Sequence, residues 1–140
     1  MVIMNLSKHS TPTKGRIMKI KTSELSGPAL DWAVAKCEEK HGRDNAATWL
    51  RDYLIGFSTR YSAVWSQAGP IIEREFIELR NQTNFSGGWE AWKWVDEKGD
   101  YLIVGKRGAY CKTPLIAAMR CYVSSKLGDE VEVPEELSKG

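Results

Sequence analysis

Three charged residues in a row, Glu73-Arg74-Glu75, are the first place in this chain where acid-base chemistry could sit. Carboxylates flanking an arginine are common in hydrolytic sites, where one acid moves a proton and the guanidinium holds an anion. Adjacent helical residues point roughly 100° apart, so the three cannot converge without groups from elsewhere. The default role of such a run is a solvated or ion-paired helix face. Arg120 stands out more, because it lies in the strongly apolar stretch Leu115 to Val123 beside small side chains. It could grip an anion through a bidentate fork. Base rates for buried arginines favour instead a structural ion pair with Glu73 or Glu75.

Aromatic chemistry is the second candidate. Six of the 140 residues are tryptophan, and Trp89, Trp92 and Trp94 fall within Gly88 to Trp94. Each indole buries a large area and still needs a partner for its N–H. Trp32, Trp49 and Trp65 fall on amphipathic stripes and are expected to pin helices into the core. Strand alternation splits the other three, with Trp92 and Trp94 on one face and Trp89 and Val95 on the opposite one. Rings left outside would form a stacking or hot-spot surface, with Lys93, Lys106, Arg107 and Lys112 nearby. The candidate binding residues are therefore Trp65, Glu73, Arg74, Trp89, Trp92, Trp94 and Arg120.

Other chemistries find little support. A cysteine nucleophile needs a base, and the two histidines are His9, in a polar N-terminal stretch, and His41, where a helix is expected to end. His41 there would cap the negative end of the helix dipole. Cys37, Cys111 and Cys121 have no CxxC spacing, which argues against a disulfide framework or zinc site and for a reducing compartment. There is no GxGxxG, Walker loop or His-Glu-x-x-His. No cofactor or metal is expected.

The elements that must position these residues follow from spacing. Residues 1–17, including Ser10 to Gly15, are polar and aperiodic and read as a flexible extension. From Ser23, Leu25, Leu30, Val34 and Cys37 suit a first helix that includes Gly27-Pro28 and stops at His41-Gly42. A second helix starts from Asp44 as cap, with Ala46, Trp49, Leu50, Tyr53, Leu54 and Phe57 on its apolar face. Residues from Trp65 read as a short helix through Glu75, followed by a strand from Phe76 to Arg80. Asn81 to Gly88 is turn chemistry, and Trp89 to Val95 pairs with Tyr101 to Gly105 through a hairpin loop, Asp96 to Asp100. The last helix is the clearest: Thr113 caps it, Pro114 is its first residue, and Gly128 lies just past its end. Ile116, Met119, Val123 and Leu127 form one stripe of it, and Ala117, Cys121, Ser124 and Ser125 an opposite small face. Val131 to Val133, before Pro134, suggests a short edge strand.

At this length one domain is expected, able to bury roughly two-thirds of its unfolded surface. The net charge is +2, but Lys8, Lys14 and Arg16 supply the excess; without residues 1–17 the count is 17 basic against 18 acidic. A general nucleic-acid binder keeps a basic excess in its folded part, which this chain barely does: its tail from Asp129 is acidic and the body, residues 18–128, only slightly positive. No apolar run approaches the roughly 18 residues of a membrane span, and the N-terminus lacks a signal peptide's long apolar core. A cytoplasmic protein follows. The expected layout is an extension over 1–17, one domain over 18–133 and a flexible acidic tail over 134–140.

Three blocks carry a family resemblance: Met18 to Lys36, Gln67 to Glu75, and Thr113 to Val123 continued by Lys126 to Pro134. In that order they resemble the NinX family of lambdoid phages, over nearly everything from Met18 onward. The resemblance implies Met18 as the usual start and an accessory phage protein without an assigned activity. It also implies, more distantly, the α-β-α sandwich of other small phage domains. The chain departs from the family at Tyr61 to Trp65, where members often carry a Pro-Ser-Thr-Asp turn, which puts in doubt any site that turn helps to build.

The sequence thus predicts an α+β domain, with a small antiparallel sheet of about three strands and three to four helices, in two layers or an α-β-α sandwich. It points to a non-catalytic phage accessory protein that binds a host protein or a small anionic ligand, with a counter-defence or host-modulating role and a plausible homo-oligomer. The alternative is a nucleotide-binding or phosphoester-hydrolysing enzyme using Glu73, Glu75 and Arg120.

Overall fold

The structure, a computed structural model, describes residues 16–82, 87–95, 99–106 and 110–138. Most of the expected extension, part of the turn before Gly87, residues 96–98 of the hairpin loop and Arg107 lie outside them. The fold is α+β, with four helices and two small antiparallel sheets among the described residues: β1 (Ile17–Lys21), α1 (Gly27–Glu38), α2 (Ala46–Leu54), α3 (Trp65–Arg74), β2 (Glu78–Asn81), β3 (Trp89–Trp94), β4 (Tyr101–Val104), α4 (Pro114–Leu127) and β5 (Glu130–Pro134). Three-stranded order is β2-β3-β4; β1 and β5 make a separate pair.

The last helix, α4, organises the core. Thr113 Oγ1 accepts from the Ile116 N–H at 3.1 Å, and Pro114 needs no N–H at the first helical position. Its expected apolar stripe and its small face are both largely buried, because α4 lies between the inner face of β2-β3-β4 and α1. Ala117, Cys121 and Ala91 are each 0 % exposed. Small side chains on both elements let the helix settle close against β3.

Several boundaries differ from the local pattern. Strand β1 was not expected; its residues are mostly exposed, so no amphipathic signal marks it, and it exists through pairing from Ile17 with Pro134 to Lys21 with Glu130. Residues 135–137, placed by charge in the tail, form a 3-10 turn with Leu137 buried. The α2 cap is Asn45, whose Oδ1 accepts from Thr48 N–H at 2.8 Å, rather than Asp44. Asp44 instead accepts the Tyr61 hydroxyl at 2.6 Å. That helix stops at Leu54, so Leu54 and Phe57, expected on its apolar face, are exposed. Phe76 has φ 52°, a left-handed turn that delays the expected strand to Glu78.

Candidate functional site

Arg74 and Glu75 close α3 and face inward into a charge cluster. Arg74 Nη2 donates to Glu38 Oε2 at 2.7 Å and to the Tyr122 hydroxyl at 3.0 Å, and Tyr122 itself donates to Glu38 Oε2 at 2.5 Å. Arg74 Nε reaches Glu75 Oε2 at 2.9 Å. The other Glu75 oxygen takes Lys93 at 3.2 Å and Lys126 at 3.3 Å, and His41 Nε2 stands 3.8 Å from Oε2. Burial alone would raise the Glu75 pKa; hydrogen bonds from Arg74 and Lys93 and the Lys126 charge outweigh it and hold it below the usual carboxylate range. A carboxylate so committed suits bolting α3 to β3 and α4 better than donating a proton. Glu73, one residue before Arg74, is exposed and joins no ion pair among the described residues. The Glu-Arg-Glu run is thus split by helical geometry, two members inward and one out.

Arg120 takes neither partner expected for it. Its Nε donates to the Leu25 carbonyl at 2.7 Å and Nη1 lies 3.5 Å from Cys111 Sγ, while no carboxylate among the described residues is within ion-pair distance. Glu75 is occupied elsewhere, and the cation that pairs with it is Arg74. Half-buried Arg120 instead borders a cleft of about 770 Å³. One wall is Leu102 to Lys106, from β4 and its exit; the other is Lys21 to Ser23 with Asp129 and Glu130, and Ser124 joins Arg120 on α4. Three cations and two carboxylates line this space, a net of one positive charge.

Backbone geometry shapes the cleft. After β4 the chain leaves the ladder at Gly105 (φ 82°) and returns at Cys111, which exchanges both backbone hydrogen bonds with Trp89, at 2.8 and 3.0 Å. A Cβ at Gly105 would stand 2.5 Å from the Trp89 carbonyl oxygen, so only glycine fits this corner. On the far side, Thr22 Oγ1 donates to Gly128 O at 2.6 Å and Thr22 N–H to Asp129 O at 2.8 Å, fixing the start of β5 beside the end of β1.

The tryptophans separate as alternation requires. Trp89 joins Ala91 and the inner neighbours Leu79, Leu102 and Val104 against the core. Trp92 and Trp94 lie on the outer face with Tyr101; Trp94 is 53 % exposed, and its ring centre is 4.5 Å from that of Tyr101. Arg80 stacks on Trp92 at 3.8 Å, and the Trp92 N–H donates to Glu90 at 2.9 Å. Trp32 and Trp49 are core residues, but Trp65, expected there, is 54 % exposed as the first residue of α3. Its stripe places Ala68 and Ile71 inward without it.

All three cysteines are free and buried. Burial pushes the Cys37 and Cys121 thiols up to about 12 and raises Cys111 as well, so none is a ready thiolate at neutral pH. Among the described residues no group of three His, Cys, Asp or Glu side chains is placed to hold a metal ion, and no helix is long and apolar enough to cross a membrane. Arg120 was legible as a candidate from its apolar neighbourhood; Lys21, Thr22 and the β4 edge were missed, because no local pattern brings residues 21–23 beside 102–106.

A small α+β domain with a lined cleft and an uncovered aromatic sheet face is what the geometry defines. The family model described as Bacteriophage P22, NinX matches residues 21–126, more than half of the chain, so the chain belongs to that phage family. No curated protein matches it.

Proposed function

We propose that this NinX-family protein is a phage accessory protein that works by binding, and that the cleft around Arg120 receives its ligand, an anionic group on a host protein or a small molecule. The supporting observation is Arg120 itself: a half-buried guanidinium beside Lys21 and Lys106 with no carboxylate partner among the described residues. Desolvated arginine is costly without an anion, and a ligand carboxylate or phosphate supplies one. Its work lies in the cytoplasm of the infected or lysogenic cell, where counter-defence or host modulation suits a binding protein of phage origin.

Less supports the hydrolase alternative. Glu73 faces solvent, Glu75 is neutralised by neighbouring cations, and Arg120 is joined to neither. The outer aromatic face supports a second docking reading, for a host protein or another copy of this chain, because Trp94 and Tyr101 are exposed side by side.

Native mass spectrometry of the protein purified from its host tests these readings together. The expected result is a retained anionic ligand or partner that disappears in Arg120→Gln while the melting temperature holds. Bare polypeptide masses for both proteins, with nothing retained on either, would overturn the cleft reading. Loss of the species in Trp94→Ala alone would move the site to the aromatic face.

A further inference from the structure

The wall of the cleft says what shape of ligand it takes. Five consecutive residues, Leu102 to Lys106, line it. Successive strand side chains point to opposite faces, so consecutive residues line one cleft only where it follows the strand's edge. β4 is the outermost strand of its sheet, and its other edge is paired with β3. The register identifies the backbone groups presented there. Trp89 exchanges both hydrogen bonds with Cys111, and the Val95 N–H donates to Asp100 O, so bonded positions recur at Trp89, Ala91, Lys93 and Val95. Leu102 and Val104, opposite Lys93 and Ala91, therefore turn their N–H and C=O toward β3. Ile103 turns its own toward the cleft, and among the described residues no backbone bond outside the ladder takes them.

An open strand edge is a template for another strand. We propose that the cleft binds an extended acidic peptide segment, which adds as a strand to the outer edge of β4. This rests on the reading of the cleft as an anion site and gives its occupant a form. The strand part of that run, Leu102 to Val104, extends for roughly 10 Å, enough to pair with about three residues of peptide. Side chains of the added strand alternate between two environments. Those on the α4 side meet Arg120, with Lys21 and Lys106 set against Asp129 and Glu130 on the flanking walls, and the net positive charge selects carboxylates. Those on the other side continue the outer face beside Ile103 and its register partner Trp92, and select apolar groups. The cleft therefore reads an alternation of acidic and apolar residues, with backbone bonds supplying affinity and Arg120 supplying sign.

The test is fluorescence anisotropy of the full chain with a labelled, end-capped seven-residue peptide of alternating glutamate and valine. Its lysine-valine counterpart and two versions N-methylated at alternate amides, one in each frame, serve as controls. The acidic peptide is expected to bind, the lysine peptide not to. Methylation is expected to weaken binding at least tenfold in one frame only, and Arg120→Gln to weaken it at least tenfold. Ile103→Pro removes an edge N–H without touching the β3 ladder and should act like the methylated peptide; if that variant does not fold, the methylated peptides still carry the test. Equal loss in both frames, loss in neither, or equal binding of the lysine peptide overturns strand addition. Thermal protection by inorganic phosphate that is lost in Arg120→Gln, without any peptide binding, would sink strand addition and leave the anion site standing. No response to either probe would sink both.

Discussion

Two buried carboxylates are held by different contacts, and each gives a prediction at the scale of the residue. Asp31, 5 % exposed on α1, accepts the Ser62 N–H at 2.7 Å, yet burial raises its pKa to about 6 because hydrogen bonding only partly offsets desolvation. The native state holds this proton more tightly than the unfolded chain, so its ionisation costs stability that is lost as pH rises from about 4 through 6. At about 1.4 kcal/mol per pKa unit the rise corresponds to ~3 kcal/mol. Asp31→Asn keeps an oxygen acceptor for Ser62 and removes the cost; it should melt higher than the parent at pH 8, with the gap closing toward pH 4. A constant gap across that range would show that ionisation is not the cause. Glu38 depends on partners instead, as the Arg74 guanidinium and Tyr122 hydroxyl are its contacts in a buried position. Arg74→Met should destabilise by about 3–5 kcal/mol in urea melts, since it strands a buried charge. Adding Glu38→Gln should recover part of that loss, and a purely additive double variant would show that the pair is not coupled.

At the scale of the element, β3 decides which of its rings matter to folding. Alternation in Trp89 to Trp94 was legible in the sequence and correctly separated Trp89 from Trp92 and Trp94. It could not say which face turns inward. That depends on Ala91, whose missing bulk lets Ala117 and Cys121 of α4 come close, a match visible only once the helix is laid on the sheet. Trp89→Ala should therefore cost about 3 kcal/mol, and Trp94→Ala no more than about 1 kcal/mol, its loss confined to the exposed contact with Tyr101. Denaturant melts of the two variants measure this directly, and equal losses would return Trp94 to the core. The same limit explains Arg120. Its apolar surroundings marked it as unusual, but whether Glu75 could reach it depended on the end of α3, where Arg74, Lys93 and Lys126 already take that carboxylate.

At the scale of the whole molecule, the two ends of the described chain hold each other in place. The helices and the β3-β4 hairpin are local and were readable from periodicity and caps, whereas β1 pairs with a strand more than a hundred residues away and carries almost no burial pattern of its own. Among the described residues β5 has one strand partner, β1, yet it buries Val131 and Val133 in the core. A chain beginning at Met18 loses the Arg16 ion pair with Glu135, 3.8 Å long and exposed only on the arginine side, and the bond from the Glu135 N–H to Arg16 O. It keeps four of the five register pairs of β1. Because the pair is long and its arginine exposed, while one backbone bond and a buried carboxylate oxygen lose their partner, that chain should still fold, with a loss of about 1–3 kcal/mol. A chain beginning at Ser23 is different: it removes all of β1 and both Thr22 bonds to the Gly128–Asp129 turn, leaving β5 without a ladder while its valines still need cover. It should lose its cooperative melt. A cooperative melt from Ser23 near that of the full chain would mean that α1 and α4 alone hold β5, and that the near wall of the cleft is an accessory to the fold rather than part of it.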